Sequence, residues 1–555
     1  MVLTLGVLVV LHRRWLGRAP TGAIPFALVA AGGVSALGVG FAAWALAAAL
    51  VLAVVLTSDL LGRRRSPAEA LLLLGGGAVV TLVAALPTWL QASRSLEVAT
   101  SIASTSNAGN LHTPLHTLQV AGVWLWGTYK EMPTGADRTA TYLLIALTLL
   151  ACPVGAAYLI RRRNYPLAGW FALVLLVWLA FSTLATTWVD AKVLMLTSAV
   201  LMLLAWGSLA ALRASPLRLL GPALGLVLAG GVFASDAIQY HSADIAPTAR
   251  YQELARINTL FAGKGPTLFT DFDEYSLYEL RSLDIGGPNF IYGPPAFAHT
   301  EAFYRHPVEL ERLPPADLLP YRLIVTRRDP SASRPPSAYR LLWQGSYYQV
   351  WGRRKGAPAA ISDLPLSGPP AAQCTRIGQL SRLARLHRAQ LIAAGSPVLV
   401  RVPVLHSSHP RGWGRLGDGL AMKTPGRLLT SFYLPHGGAW DLWLQGQIMP
   451  AVDIGLDGRH LAFIGAQLGG NSIVPNTLTP LRLTLSAGPH ILSVTRGGSI
   501  LAPGGGGTSV LLGIFLTPAT AARQQPLHDV AAARWRTLCG HPYDWIEVVS
   551  ASIGA

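Results

Sequence analysis

Up to about Tyr240 the chain alternates long apolar runs with short basic clusters, and it then changes to strand-and-turn sequence for the remainder. An apolar run of about 20 residues is the length that crosses a bilayer as a helix. Residues 23–61 are apolar for nearly twice that length and predict two spans, with the hairpin at Gly38 and Gly40. Further spans are predicted at 70–90, 139–160, 167–189, 194–212 and 219–237, about seven in all. Residues 1–11 are apolar but too short to cross alone, and no charged region precedes them as it would in a signal peptide. They read as the end of a span begun upstream, so the chain is expected to be the back portion of a longer protein.

The basic clusters orient these spans. They are His12-Arg13-Arg14, Arg63-Arg64-Arg65, Arg161-Arg162-Arg163 and the pair Arg213 and Arg218. Lys and Arg concentrate in cytoplasmic loops, and an even number of predicted spans separates each cluster from the next. All four therefore fall on one side. Residues 92–138, the short link 190–193 and everything after Tyr240 are placed outside the cytoplasm. The expectation is a multi-pass plasma-membrane protein, in contact with membrane lipids, with a large C-terminal extracytoplasmic region. Composition agrees: only 13% of residues are charged and the mean hydropathy is +0.41. Many of the arginines behind the net charge of +17 sit in these short clusters between apolar runs. No basic, aromatic-interleaved motif accompanies it, which argues against nucleic acid as a partner.

Periodicity divides the outer half. Leu254, Ile257, Leu260 and Phe261 share one face of a predicted helix, and short strands follow at 266–272, 323–326, 339–343 and 347–351. A small α/β domain is expected over 246–354, then a linker over 355–372 rich in Pro, Ala, Gly and Ser. From 373 to 550 the pattern is nearly all strand, with Asp457-Gly458 as a hairpin turn. About eight strands predict a two-sheet sandwich of jelly-roll type. The fold class expected is thus a multi-pass helical membrane domain (1–240), an α/β domain and a β-sandwich.

Several residues are candidates for chemistry. Asp271-Phe272-Asp273 matches the metal-binding acidic pair of nucleotide-sugar transferases, but Asp273 also suits the N-cap of the following helix, with Glu274 in its first turn. His112 and His116 have the i,i+4 spacing of metal ligands, yet Pro114 lies between them and no acidic ligand is adjacent. No metal or other cofactor is expected. Trp124, Trp126 and Tyr129 end a long outer loop, either as interfacial anchors or as an apron beneath a lipid-linked substrate. Asp190 and Lys192 sit beside the bilayer, where ionisable groups are costly; the lysine could hold the phosphate of a polyprenyl-phosphate donor. The plain alternative is an interfacial turn. Trp440, Trp443, Asp457 and Arg459 are the sugar-binding candidates of the sandwich, through ring stacking and bidentate hydrogen bonds. Strand alternation sends at least one of the two tryptophans into the core. Cys374 and Cys539 bracket the sandwich and could form a disulfide, or remain two thiols, since pairing also needs close Cα geometry.

The arrangement resembles the GT-C superfamily of polytopic glycosyltransferases, and more narrowly envelope proteins of GC-rich Gram-positive bacteria. The resemblance rests on Trp188-Val189-Asp190-Ala191-Lys192, the loop 109–127, Tyr275-Ser276-Leu277-Tyr278-Glu279-Leu280-Arg281, Leu538-Cys539-Gly540 and Asp544-Trp545-Ile546-Glu547. It implies transfer of a sugar from a polyprenyl-phosphate donor to a cell-envelope glycan held by the β module. Those enzymes carry a catalytic acid in the first outer loop after the first span, and no acidic loop stands there in this chain. The competing class is a non-catalytic membrane protein that binds envelope glycan or anchors an assembly.

Overall fold

In the computed structural model the chain divides into two compact units, Met1–Tyr240 and His241–Ala555. The structure describes residues 23–37, 56–62, 66–86, 113–184, 186–243, 248–271, 276–287, 307–357, 360–366, 370–396, 399–449, 451–464, 481–497, 503–506, 508–519 and 526–550, with a few single positions besides. Residues 1–11, the hairpin at Gly38 and Gly40, the clusters 12–14 and 63–65, His112, Glu274 and the outer loop up to residue 110 lie outside the described residues.

The first unit is helical. Its elements are α1 (Ala23–Leu37), α2 (Pro67–Ala84), α3 (Gly135–Arg161), α4 (Tyr165–Leu184), α5 (Thr187–Arg213) and α6 (Leu220–His241). Among the described residues, α2 to α6 supply five helices long and apolar enough to cross a membrane. Local sequence sets their ends. Ser66 and Glu69 form a reciprocal capping box ahead of Pro67, and Arg161 occupies the last turn of α3, where a cation complements the helix dipole. Large apolar side chains such as Leu71, Leu143, Leu150, Leu176 and Phe233 point outward, whereas Trp170, Val174, Val200 and Leu204 fill the interior. An apolar exterior around an apolar core fits a lipid solvent. Helices α3 and α5 approach closely at Gly155, where an added Cβ would stand 2.0 Å from the Leu204 carbonyl oxygen.

One boundary differs from expectation. Helix α5 starts at Thr187, so Asp190 and Lys192 belong to it rather than to a link. The physical reason is the N-terminal pattern: extended Thr186 takes the cap position and Asp190 puts a negative charge in the first turn.

The second unit begins with an α/β layer. Helix α7 (Thr248–Phe261) covers a five-stranded sheet of β1 (Thr267–Phe269), β2 (Ile285–Gly286), β3 (Leu323–Arg327), β4 (Tyr339–Gln344) and β5 (Tyr348–Arg353), in the order β2-β1-β3-β5-β4. Strands β2, β1 and β3 run parallel, and β5 and β4 close the sheet antiparallel. Leu254, Ile257 and Phe261 of α7 pack on Phe269, Val325 and Val350, the face that their helical spacing predicts.

The region beyond is built differently from the linker-and-sandwich expectation. Residues 355–372 contain strand β6 (Ala360–Pro365) and the start of helix α8 (Pro370–Leu386), and β7 (Ala389–Gly395) follows. These join β19 (Leu527–Ala531) and β20 (Tyr543–Ser550) in a separate sheet of order β19-β7-β20-β6. Ile377, Leu380 and Ala384 of α8 cover one face of it, against Leu391, Ala393, Ile546 and Val548. The sandwich is thus an insertion between β7 and β19. The Cys374–Cys539 disulfide, with Cα atoms 5.1 Å apart, ties α8 to the seven-residue 3-10 segment Ala532–Leu538 within this small module and does not clasp the sandwich itself.

The inserted sandwich contains β8 (Val400–Val402), β9 (Gly414–Leu416), β10 (Gly419–Met422), β11 (Gly426–Leu434), β12 (Gly438–Gln447), β13 (Val452–Leu456), β14 (Arg459–Ile464), β15 (Asn476–Thr477), β16 (Leu481–Leu485), β17 (Gly488–Arg496) and β18 (Ser509–Pro518). One sheet runs β15-β12-β18-β10-β9, with β16 and β8 at its margins; the other runs β11-β17-β13-β14. Leu428, Phe432, Ile454, Leu492 and Val494 of the smaller sheet face Met422, Leu442, Leu444 and Ile514 of the larger. The turn between β13 and β14 takes the left-handed region at both Asp457 (φ 50°) and Gly458 (φ 80°), as a two-residue hairpin requires.

Candidate functional site

Two regions, one in each unit, hold the candidate residues. In the first unit the segment ahead of α3 is tightly hydrogen-bonded. His116 caps the 3-10 turn Thr117–Ala121, its Nδ1 accepting from the Leu118 N–H at 3.3 Å. The Trp124 N–H donates to Ser235 Oγ of α6 at 2.9 Å, and the same hydroxyl donates to the Trp124 carbonyl at 2.9 Å. The Leu125 N–H donates to Thr141 Oγ1 of α3. The indole N–H groups of Trp124 and Trp126 converge on Glu131, reaching its carbonyl at 3.1 Å and its carboxylate at 3.2 Å. Trp124 is 3% exposed, so its ring has no open face for a substrate; it anchors the loop. Trp126 is half-buried and Tyr129 exposed, and these two carry the accessible aromatic surface.

Asp190 and Lys192 stand at the start of α5. Two residues apart on a helix, they point about 200° apart and do not act as a pair. Lys192 Nζ lies 4.8 Å from the ring centroid of Trp188, one turn before it. Asp190 is half-buried; its Oδ1 and the Thr186 hydroxyl are both enclosed without a hydrogen-bond partner. This helix end therefore carries two separate groups on opposite faces, the ring and cation of Trp188 and Lys192 and the enclosed polar atoms of Thr186 and Asp190.

The acidic pair at the end of β1 has other work. Asp271 receives the Arg327 guanidinium, with Nε 3.0 Å from Oδ2, and Asp273 pairs with Arg250 of α7. Both carboxylates are buried, and the Tyr348 hydroxyl adds a 3.4 Å contact to Asp271. The Ser276 N–H donates to the Asp273 carbonyl at the start of the one-turn helix Ser276–Glu279. This is a charge-balanced knot that fixes α7 to the sheet, and its carboxylates face arginines.

The sandwich candidates divide by strand alternation. Trp440 is fully buried between the sheets, with His436 stacked on it at 4.9 Å. Trp443 lies on the opposite face of β12 but is 1% exposed. Phe515 stacks on it at 6.3 Å, its indole donates to Thr517 Oγ1 at 2.9 Å, and Arg328 of the α/β layer covers the ring at 5.4 Å. Neither tryptophan can stack on a sugar: one fills the sandwich core and the other fills the junction with the α/β layer. Asp457 is committed to structure, accepting from the Ile491 N–H at 2.8 Å and binding His490 Nδ1 at 2.7 Å. His490 Nε2 meets the Ser486 carbonyl at 3.0 Å, so both ring nitrogens act as donors in the charged form. Burial works against that charge, but the hydrogen bonds to Asp457 and Ser486 outweigh it and hold the imidazole above its ordinary pKa. Arg459 is exposed at the end of the same hairpin.

Sequence reasoning missed the exposed aromatics on the outer face of the smaller sheet. Tyr433 is 66% and Phe463 68% exposed, with Ile491 and Leu429 open as well. Register places Phe463, Asp453, Thr495 and Arg427 in one row across β14, β13, β17 and β11. Tyr433, six residues from Arg427 along β11, shares that face. The available signal was the strict alternation of β11, in which Leu428, Thr430, Phe432 and Leu434 turn inward and leave Tyr433 outside.

No family model matches the chain, and no curated protein does. Among solved structures, the arabinofuranosyltransferase AftD from Mycobacteria aligns with 95% of this chain and 52% of its own, at 13% identity and a TM-score of 0.34. The CBM36-1 domain of a multidomain xylanase from the hindgut metagenome of Trinervitermes trinervoides aligns with 21% of this chain and 94% of its own, at 13% identity and a TM-score of 0.17. The carbohydrate-binding module CBM36, solved with calcium and xylotriose, matches 21% of this chain and 97% of its own at 12% identity, with a TM-score of 0.17. The chain spans about half the length of the arabinofuranosyltransferase and covers nearly all of each module. Its own coordinates establish the architecture: membrane-capable helices, an α/β layer, and a β-sandwich inserted in a small disulfide-tied module.

Proposed function

We propose that this chain works in a GT-C-like membrane glycosyltransferase that moves a sugar from a polyprenyl-phosphate donor to a cell-envelope glycan outside the cytoplasm. The observation that supports this reading most is a covalent one. A single chain joins membrane-capable helices to a β-sandwich whose outer sheet exposes aromatic rings among polar side chains. Exposed rings stack on the C–H faces of sugars while neighbouring carboxylates and guanidinium groups bind hydroxyls. On this reading the acceptor glycan lies along Tyr433, Phe463 and Asp453. The donor lies at the start of α5, with Lys192 at its phosphate and Trp126 and Tyr129 beside the lipid. Arginine placement supports the outer location of the second unit.

The donor assignment is tested with a photoreactive polyprenyl phosphate added to the full chain in nanodiscs. Cross-links at residues 186–192 and 126–129 are expected, reduced roughly tenfold or more in Lys192→Ala, since a hydrogen bond to a charged group contributes about 1.5–3 kcal/mol. Cross-linking spread evenly over the helices, and unchanged in the variant, sinks the assignment.

A further inference from the structure

The helix layer of the disulfide-tied module carries charge of one sign. Arg376, Arg382 and Arg385 are exposed on α8, Arg388 follows it, and Arg534 and Arg536 are exposed on the adjoining 3-10 segment Ala532–Leu538. No Asp or Glu occurs in residues 366–390 or 532–543. The nearby acid Asp529 pairs in register with Ile392, on the sheet face opposite the one that α8 covers through Leu391 and Ala393. The two arginine-bearing segments are held side by side in three ways: by the Cys374–Cys539 bond, by Arg385 donating to the Ala532 carbonyl, and by Trp535 packed over Gly378. Leu386, 78% exposed, stands among them at the end of α8. The result is a rigid cationic face with one apolar tip, and among the described residues no acidic group of its own module pairs with it.

We infer that this face docks on an anionic phospholipid surface, the bilayer crossed by the helices of the same chain. Charge complementarity identifies the phosphate headgroup as its ligand, and the exposed leucine suits the boundary between headgroups and acyl chains. The tether supplies proximity. Only six residues, 242–247, separate the end of α6 from the start of α7, so the second unit works at a membrane surface rather than free in solution. Docking through a cationic face restrains the second unit at the surface where a lipid-linked substrate is presented. The inference does not depend on the glycosyltransferase reading.

The test uses the full chain in nanodiscs, with Gln379→Cys on the exposed side of α8 carrying a fluorophore and headgroup-spin-labelled lipid as quencher. Nanodiscs of phosphatidylcholine alone are compared with nanodiscs that also contain phosphatidylglycerol. Quenching several-fold stronger with phosphatidylglycerol, abolished at high salt, is expected. The variant Arg376→Gln, Arg382→Gln and Arg536→Gln should lower the docked-to-undocked ratio roughly 100-fold, since each arginine near an anionic surface contributes about a factor of five. Its thermal unfolding serves as the folding control, because all three side chains are exposed. Equal quenching in the two lipids, with parent and variant equally stable, overturns the inference. A titration with inorganic phosphate is the second arm. Saturable phosphate binding that the variant loses, without lipid-dependent quenching, would assign the face to a soluble anion and overturn the membrane docking.

Discussion

At the residue scale, the chain spends many of its charged groups on structure. Asp271, Asp273 and Asp457 each look available in the sequence, and each is engaged by a specific partner. Asp363 is the opposite case. It faces Glu547 directly across β6 and β20, and its Oδ1 is buried without a partner. Burial, reinforced by the neighbouring Glu547 charge, pushes the Asp363 carboxyl up to about 7. The folded chain therefore holds a proton that the unfolded chain releases. The contribution is most favourable below about pH 4 and declines as pH rises through about 7. Asp363→Asn should remove this slope. Thermal unfolding of the full chain should find the variant more stable than the parent above pH 7, by about 1 kcal/mol, because water reaches part of the group. A variant less stable than the parent at pH 8 would show that the carboxylate is held by compensating interactions.

At the element scale, the chain is legible where one stretch of sequence makes one element. The five membrane-capable helices, the α7 face and the β13–β14 hairpin follow from run length, from 3.6-residue spacing and from Asp457-Gly458. What is not legible is pairing across long separations. Strand β20 closes with β6 and β7 from more than 140 residues away, so the small module looks like a linker at one end and like sandwich at the other. The tryptophans show a second limit. Alternation separates Trp440 from Trp443, but it cannot reveal that the α/β layer covers the outward one through Arg328. Helix packing gives a sharp prediction at this scale. Gly155→Ala places a methyl group against the Leu204 carbonyl and should force α3 and α5 apart, at a cost of about 1–3 kcal/mol. Gly76→Ala on α2, where an added Cβ meets nothing within 4 Å, is the control expected to leave stability in detergent unchanged or slightly raised. Equal thermal unfolding of the two variants would contradict the close α3–α5 crossing.

At the scale of the whole molecule, the proposed function joins a membrane-embedded donor region to a glycan-binding sandwich on the outer side. The sidedness has its own test. Ser431→Cys puts a thiol on the exposed outer face of β11, where the proposed glycan surface lies. In intact cells a membrane-impermeant maleimide should label it fully, and labelling that requires permeabilised cells would reverse the topology. Sugar transfer from lipid to polymer is read out by catalysis itself. The full chain in nanodiscs is incubated with radiolabelled polyprenyl-phosphate sugars and purified envelope glycan, and the polymer is counted. The account predicts label moving into the polymer from at least one donor. It also predicts at least a tenfold loss in Lys192→Ala and weaker glycan retention in Tyr433→Ala and Phe463→Ala. Label that stays on the lipid with every donor, while the glycan still binds, would contradict the transferase reading and leave a glycan-binding membrane protein.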